Sequence, residues 1–221
     1  MIFYHGSKQK IDNPIVQGSN SQNDYGPSFY TTQDLELAKE WACKNNELGA
    51  VNKYQIRTSD FNSLKILDLT NSEEYSVLNW LAILMHHRAL DLSFVHVHQQ
   101  SLEWLKSFYI NINEYDIVKG FRADDSYFEF PLKFIEGQLS LEDLQEVFRL
   151  GNLGIQYAFM SKKAIKKLKF VSCEVVEEKY VGRHRNRVIE ATKAFRDITN
   201  RPIDYKKTLI GDLMKKYVGL L

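Results

Sequence analysis

Long apolar runs, cysteine clusters and the common nucleotide-binding motifs are all missing from this 221-residue chain, and each absence excludes something. No stretch of about 18 apolar residues occurs, which excludes a hydrophobic membrane-spanning helix. The start, Met1-Ile2-Phe3-Tyr4-His5, has neither a basic segment nor a long apolar one, so no secretory signal is expected. Cysteine occurs only as Cys43 and Cys173, without metal-ligand spacing, and the two read as reduced thiols of a cytoplasmic protein rather than as a disulfide. There is no G-x-x-x-x-G-K-[ST], no G-x-G-x-x-G and no H-E-x-x-H. Internal repeats and low-complexity tracts are absent too, so a solenoid is excluded.

Net charge is also close to absent, at +1, but the balance is uneven along the chain. From Lys162 onward sixteen Lys and Arg face seven Asp and Glu, whereas the first 161 residues carry thirteen against twenty-one. A basic tail on an acidic body suits either an anionic partner or a helix that packs against the body's acids, and both readings stay open. What the chain does have is aromatic bulk: 13 Phe, 12 Tyr and 3 Trp can fill a sizeable core. The length fits one large domain, or one domain with an extension.

The pattern predicts a strand over Ile2–Gly6, a polar loop from Gln17 to Pro27, and a second strand over Ser28–Thr32. Asp34 caps a helix carrying Leu37, Ala38 and Trp41, with Gly49 as its end. Strands follow over Val51–Ile56 and Leu64–Leu67, then helix from Ser72 to about Leu105 with a break near Asp91. Asp116–Phe130 reads as strand–turn–strand and Leu132–Gly137 as extended. Ser140 and Asp143 form a capping box for the next helix. A strand over Gly154–Phe159, a short basic helix capped by Ser161, a strand over Lys169–Val176 and two C-terminal helices, Arg183–Asp197 and Tyr205–Tyr217, complete the chain. Without regular strand–helix–strand alternation, this order predicts an α+β fold with mostly antiparallel sheet.

The N-terminal patterns carry the chemistry. Tyr4-His5-Gly6-Ser7 closes the first strand, Phe29-Tyr30-Thr31-Thr32 forms the second, and Trp41 lies eleven residues after Tyr30. This order resembles the ADP-ribosyltransferase superfamily, in its histidine–tyrosine branch of diphtheria-type toxins and poly-ADP-ribose polymerases. Within it the chain looks most like an uncharacterised bacterial, toxin-like family, with Tyr115–Gly120, Arg122–Phe128 and Leu150–Gln156 as later matching segments. The resemblance covers about residues 1–180 and implies split antiparallel sheets with flanking helices, leaving 181–221 as a basic helical extension.

It also implies roles. NAD is the substrate, bound by His5, Gly6, Ser7, Tyr30, Thr31 and Trp41. His5 holds a ribose hydroxyl, Gly6 and Ser7 the nicotinamide carboxamide, and Tyr30 and Trp41 the cationic ring. Catalysis falls to His5, Tyr30 and Gln156. Gln156 departs from the glutamate many members place there: an amide can orient a hydroxyl but brings no negative charge and is no general base. Asp124, Asp125 and Glu129 are the acids that could fill that gap. His86, His87, His96 and His98 cluster in sequence, and His96 and His98 would share a face of a strand. With Asp91 the only acid in that span, a surface role is preferred to a metal site.

The expected activity is therefore cleavage of the nicotinamide–ribose bond and transfer of ADP-ribose to a protein or nucleic acid. The setting is a toxin of a toxin–antitoxin or phage-defence system with an antitoxin-like inhibitory partner and no membrane association. Two other classes remain: a non-catalytic NAD- or ADP-ribose-binding module, suggested by Gln156, and a nucleic-acid-binding protein using the basic tail. On a helix from Arg183, Arg183 and Arg187 share a face. Val188, Ala191, Phe195 and Ile198 form the apolar stripe, so the helix is expected to dock by that stripe and present its basic face outward.

Overall fold

The computed structural model describes residues 1–16, 23–43, 47–88, 90–123 and 128–218. Most of the polar loop expected from Gln17, and Asp124 and Asp125 of the candidate acids, lie outside the described residues. In chain order the elements are β1 (Ile2–Ser7), β2 (Phe29–Thr31), α1 (Leu35–Ala42), β3 (Ala50–Gln55), α2 (Thr58–Asn62), β4 (Ile66–Asp68), α3 (Val77–His87), α4 (Leu92–Val97), α5 (Gln99–Lys106), β5 (Ile117–Phe121), α6 (Phe130–Ile135), α7 (Leu141–Val147), β6 (Ile155–Phe159), α8 (Lys162–Lys167), β7 (Lys169–Val175), α9 (Lys179–Thr199) and α10 (Ile210–Val218).

The strands form two sheets. One is antiparallel in the order β1-β3-β7; the other runs β2-β6-β5-β4, antiparallel except for the parallel pair β4–β5. The fold is α+β, with two sheets, flanking helices and C-terminal helices, as the element order predicts. Between the sheets Phe3, Phe29, Tyr54, Tyr157 and Phe159 interlock, Phe3 meeting Tyr157 edge-on at 5.0 Å and Phe159 at 5.4 Å. A second cluster gathers Trp80, Leu81 and Leu84 of α3, Phe130 and Phe134 of α6, Leu144 of α7, and Ala191, Phe195 and Ile198 of α9.

Local chemistry sets the helix ends. Asp34 accepts from the N–H groups of Glu36 (2.9 Å) and Leu37 (3.1 Å), and Ser140 with Asp143 makes the reciprocal capping box. Asp91 caps α4, which is the expected break. Four local expectations are corrected. Leu132–Ile135 is not extended: it belongs to α6, where Pro131 sits in the first turn and costs no hydrogen bond, while Phe130, Phe134 and Ile135 bury one helical side. The second strand expected near Phe130 gives way to the same helix. His96 lies in α4 and His98 just after it, so they are not strand neighbours. α1 ends at Cys43, well before Gly49. The short α2 was hidden by its polar sequence; only Phe61 is buried.

The C-terminal region also differs from expectation. α9 does dock by Ala191, Phe195 and Ile198, with Val188 half-buried. Its Arg183 and Arg187, however, both reach to α1, Arg187 largely covered and Arg183 still half-exposed. Arg187 makes two bonds to the Glu40 carboxylate (2.6 and 2.8 Å), and Arg183 donates to Glu36 at 2.9 Å. Arg201 pairs with Glu146 and Lys207 with Asp143.

Candidate functional site

The two sheets touch where β1 meets the end of β2. Tyr4 N–H donates to the Thr32 carbonyl (2.7 Å) and Thr32 N–H to that of Tyr4 (2.9 Å). His5, the next residue, lies at this seam. Its Nδ1 donates to the Tyr30 carbonyl at 2.6 Å. Because a carbonyl only accepts, Nδ1 carries the hydrogen and Nε2 of the neutral ring keeps a free lone pair. Burial lowers the His5 pKa, against the opposing pull of the Tyr30 bond, and so favours that neutral form. Phe29 backs the ring at 4.5 Å.

Gly6 follows, and here a glycine is required. A Cβ would sit 2.2 Å from the Ala38 carbonyl oxygen and 2.5 Å from the Ala42 nitrogen, so α1 packs backbone to backbone on β1. That contact brings Trp41 beside His5. A cavity of about 260 Å³ opens at this point, and five sequence candidates line it: His5, Gly6, Tyr30, Trp41 and Gln156. They come from β1, β2, α1 and β6. Ser7 and Thr31 are not among the lining residues. Ser7 donates to the Gln9 carbonyl and accepts from Asn52, and buried Thr31 donates to the Tyr157 carbonyl. Glu129 is exposed at the start of α6 and is not among the lining residues.

Three charged residues complete the cavity: Asp24 and Arg88, which carry no sequence motif, and Arg122, which opens the matching segment Arg122–Phe128. Asp24 is only 5% exposed and Gln156 only 3%. Arg88 donates to Asp24 Oδ1 at 2.9 Å, while Ala123 N–H (2.9 Å) and Gln156 Nε2 (2.8 Å) donate to Oδ2. Gln156 Nε2 also donates to the Phe121 carbonyl at 3.1 Å, so both amide hydrogens are used and the amide oxygen is the atom offered to the cavity. The Arg122 guanidinium lies 4.3 Å from the centre of the Trp41 ring, a cation held on an electron-rich face.

The Tyr30 hydroxyl ties down the loop that carries Asp24: it accepts from Tyr25 N–H (3.0 Å) and donates to the Gly26 carbonyl (2.7 Å). Burial raises its pKa, and the nearby Asp24 charge adds to this, so Tyr30 stays a neutral phenol. Beneath it the Tyr25 hydroxyl donates to the Phe121 carbonyl and accepts from Trp80 Nε1. Only glycine fits at position 120, where a Cβ would meet that hydroxyl at 2.1 Å. The arrangement can accept hydrogen bonds through His5 Nε2 and Gln156 Oε1, face a flat ring with Tyr30 and Trp41, and meet anionic oxygens with Arg122.

Larger grooves exist, one of about 650 Å³ beside Arg57, Asp60 and Lys166 and one of about 600 Å³ beside Glu40, Arg149 and Arg187. Neither combines a neutral histidine, aromatic faces and a buried carboxylate, so chemistry rather than volume selects the smaller cavity. Among the described residues no group of three or more His, Cys, Asp or Glu could hold a metal ion. His86 packs on Tyr109 at 4.5 Å, and the His87 ring packs on Gly26, behind the loop bearing Asp24. Cys43 and Cys173 are both free thiols. No helix among the described residues is long and apolar enough to cross a membrane.

Neither the curated proteins nor the solved structures contain a match to this chain. One family model does match, over residues 1–170, a span that ends before α9 and holds every residue of the cavity. The chain belongs to that family, described as a protein family of unknown function, DUF3990.

Proposed function

We propose that this protein cleaves the nicotinamide–ribose bond of NAD and transfers ADP-ribose to a macromolecular acceptor. The observation that carries the reading is the convergence of His5, Tyr30, Trp41 and Gln156 on one cavity at the seam between the sheets. In the reaction the bond from ribose C1′ to the pyridinium nitrogen breaks and its electron pair leaves with nicotinamide. Positive charge is left on the ribose, and an acceptor oxygen or nitrogen then bonds C1′ and loses a proton. His5 Nε2 and Gln156 Oε1 suit two ribose hydroxyls as acceptors, the faces of Tyr30 and Trp41 suit the pyridinium, and the enclosed site fixes the reacting geometry. Stacking at Trp41 requires Arg122 to leave that face and turn to the pyrophosphate instead.

Two measurements test this. NAD titrated into the protein should bind, and labelled NAD should release nicotinamide; absence of binding at millimolar NAD rejects the reading. Tyr30→Ala should weaken binding by about 1–3 kcal/mol through lost ring contact. One observation favours a second reading, a non-catalytic binder of NAD or ADP-ribose: the amide of Gln156 stands where an acid would help most. Binding without nicotinamide release would select it. For the nucleic-acid reading, Arg187 and Lys207 of the tail are already paired with largely covered acids of the body, while Arg183 and Arg201 are paired but half-exposed.

A further inference from the structure

We propose that Asp24 is a positioning residue for this chemistry and supplies, through Gln156, the negative charge that an amide lacks. The inference rests on the NAD-cleaving reading above. Donors from three separate parts of the fold converge on one buried carboxylate: Arg88 at the end of α3, the Ala123 backbone after β5, and Gln156 on β6. The side chains of Asp24 and Arg88 are 6% and 15% exposed. A buried ion pair of this kind adds little stability over apolar packing, so stability alone is a poor account of it. Its place in the cavity wall, bonded to the one late-strand residue aimed at the substrate, gives it a chemical use.

That use has two parts. The Gln156 amide could in principle sit either way round. Asp24 and the Phe121 carbonyl both demand its nitrogen, which forces the oxygen toward the cavity. The charge then matters as well as the orientation. A carboxylate bonded to the amide N–H polarises it and raises electron density on Oε1, and this counts for more out of water. When the bond from C1′ to the pyridinium nitrogen breaks and its pair departs with nicotinamide, the positive charge left on the ribose lies next to this oxygen. Asp24 never touches the reacting atoms; it acts one hydrogen bond removed.

The experiment measures nicotinamide release, NAD affinity and thermal melting for Asp24→Asn, Gln156→Ala, the double variant and Gln156→Glu. Asp24→Asn should lower kcat about 10–100-fold, the scale of loss when a residue that orients a ligating side chain is removed. NAD affinity should stay within about threefold, because the loss falls on the transition state. The double variant should be no slower than Gln156→Ala, since the carboxylate works only through that amide. Gln156→Glu supplies an answer even where Asp24→Asn does not fold. When protonated, the carboxyl introduced by Gln156→Glu donates to Asp24 and presents its carbonyl as the amide does. When deprotonated it brings a negative charge of its own next to the ribose, so kcat should be held or raised as pH rises. The other charged or titratable groups facing this pair are Arg88, Arg122, His5, Tyr25 and Tyr30. Wild-type protein that neither binds nor cleaves NAD removes the functional reading and this inference together. Wild-type cleavage with an unimpaired Asp24→Asn, with multiplying losses in the double variant, or with a folded Gln156→Glu that is slowest at high pH overturns the role of Asp24 alone.

Discussion

At the scale of single residues, the tightest constraint is Gly6. Its missing side chain lets the α1 backbone approach to a distance no Cβ permits, and Trp41 rides on that helix. Gly6→Ala should therefore cost about 1–3 kcal/mol as an overpacking change, read by denaturant unfolding, and should also weaken NAD binding by shifting Trp41. The resemblance gave position 6 a part in holding the ligand; in the structure its close neighbour is a helix. Tyr30 was legible for its ring, and its hydroxyl has a second task in holding the loop at Tyr25 and Gly26. Asp24 and Arg88 were not legible, and Arg122 stood only as the start of a matching segment with no role attached. Each is an ordinary polar residue in its own neighbourhood and acquires meaning only from partners far along the chain, as the 132 residues between Asp24 and Gln156 show.

At the scale of elements, α1 and α9 face each other as matched ladders. Glu36 and Glu40 are four residues apart, as are Arg183 and Arg187, and the pairs meet across the interface, with the Tyr180 hydroxyl donating to Glu36. Periodicity correctly put the two arginines on one face; what it could not say was that another helix carries acids at the same spacing. Arg187→Ala leaves the Glu40 carboxylate, only 7% exposed, without its partner and should destabilise the protein by about 3–5 kcal/mol in chemical denaturation. Replacing both residues by apolar ones should cost much less. Removing residues 183–221 strips Ala191, Phe195 and Ile198 from the cluster around Trp80, so the truncated chain should lose cooperative unfolding, rather than lose only a docking surface. Most strands and capped helices were readable because cap, period and turn agreed. α6 was misread because a six-residue helix opening on Phe-Pro shows too few turns for its period to register.

At the scale of the whole molecule, two histidines set the response to acid. Burial lowers the pKa of His5, and burial with the neighbouring His86 takes His87 down to about 4. Both rings bind a proton more readily in the unfolded chain, where the pKa is about 6.5. The stability that depends on these two neutral rings is therefore complete above about pH 6.5 and should fall as pH drops from there toward 4, which melting curves across that range would show. His87→Gln should flatten the curve. Carboxylates with depressed pKa, such as Asp60 at about 2, keep their stabilising contribution across that window and lose it only as pH falls below about 4, so the two groups separate on the pH axis. The antiparallel α+β layout followed from element order alone. The cleft did not, because it exists only where β1 of one sheet meets β2 of the other, and no local pattern encodes which strands of different sheets become neighbours. That same seam also sets when the cavity can form. β2 has no partner in its own sheet until β6 pairs with it, and β6 brings Gln156. On a ribosome adding about 5–20 residues each second, the N-terminal half emerges with its histidine, tyrosine and tryptophan in hand but nothing to close them into a chamber. A nascent chain, or one clipped before β6, therefore lacks the closed cavity, which is completed in a single late event.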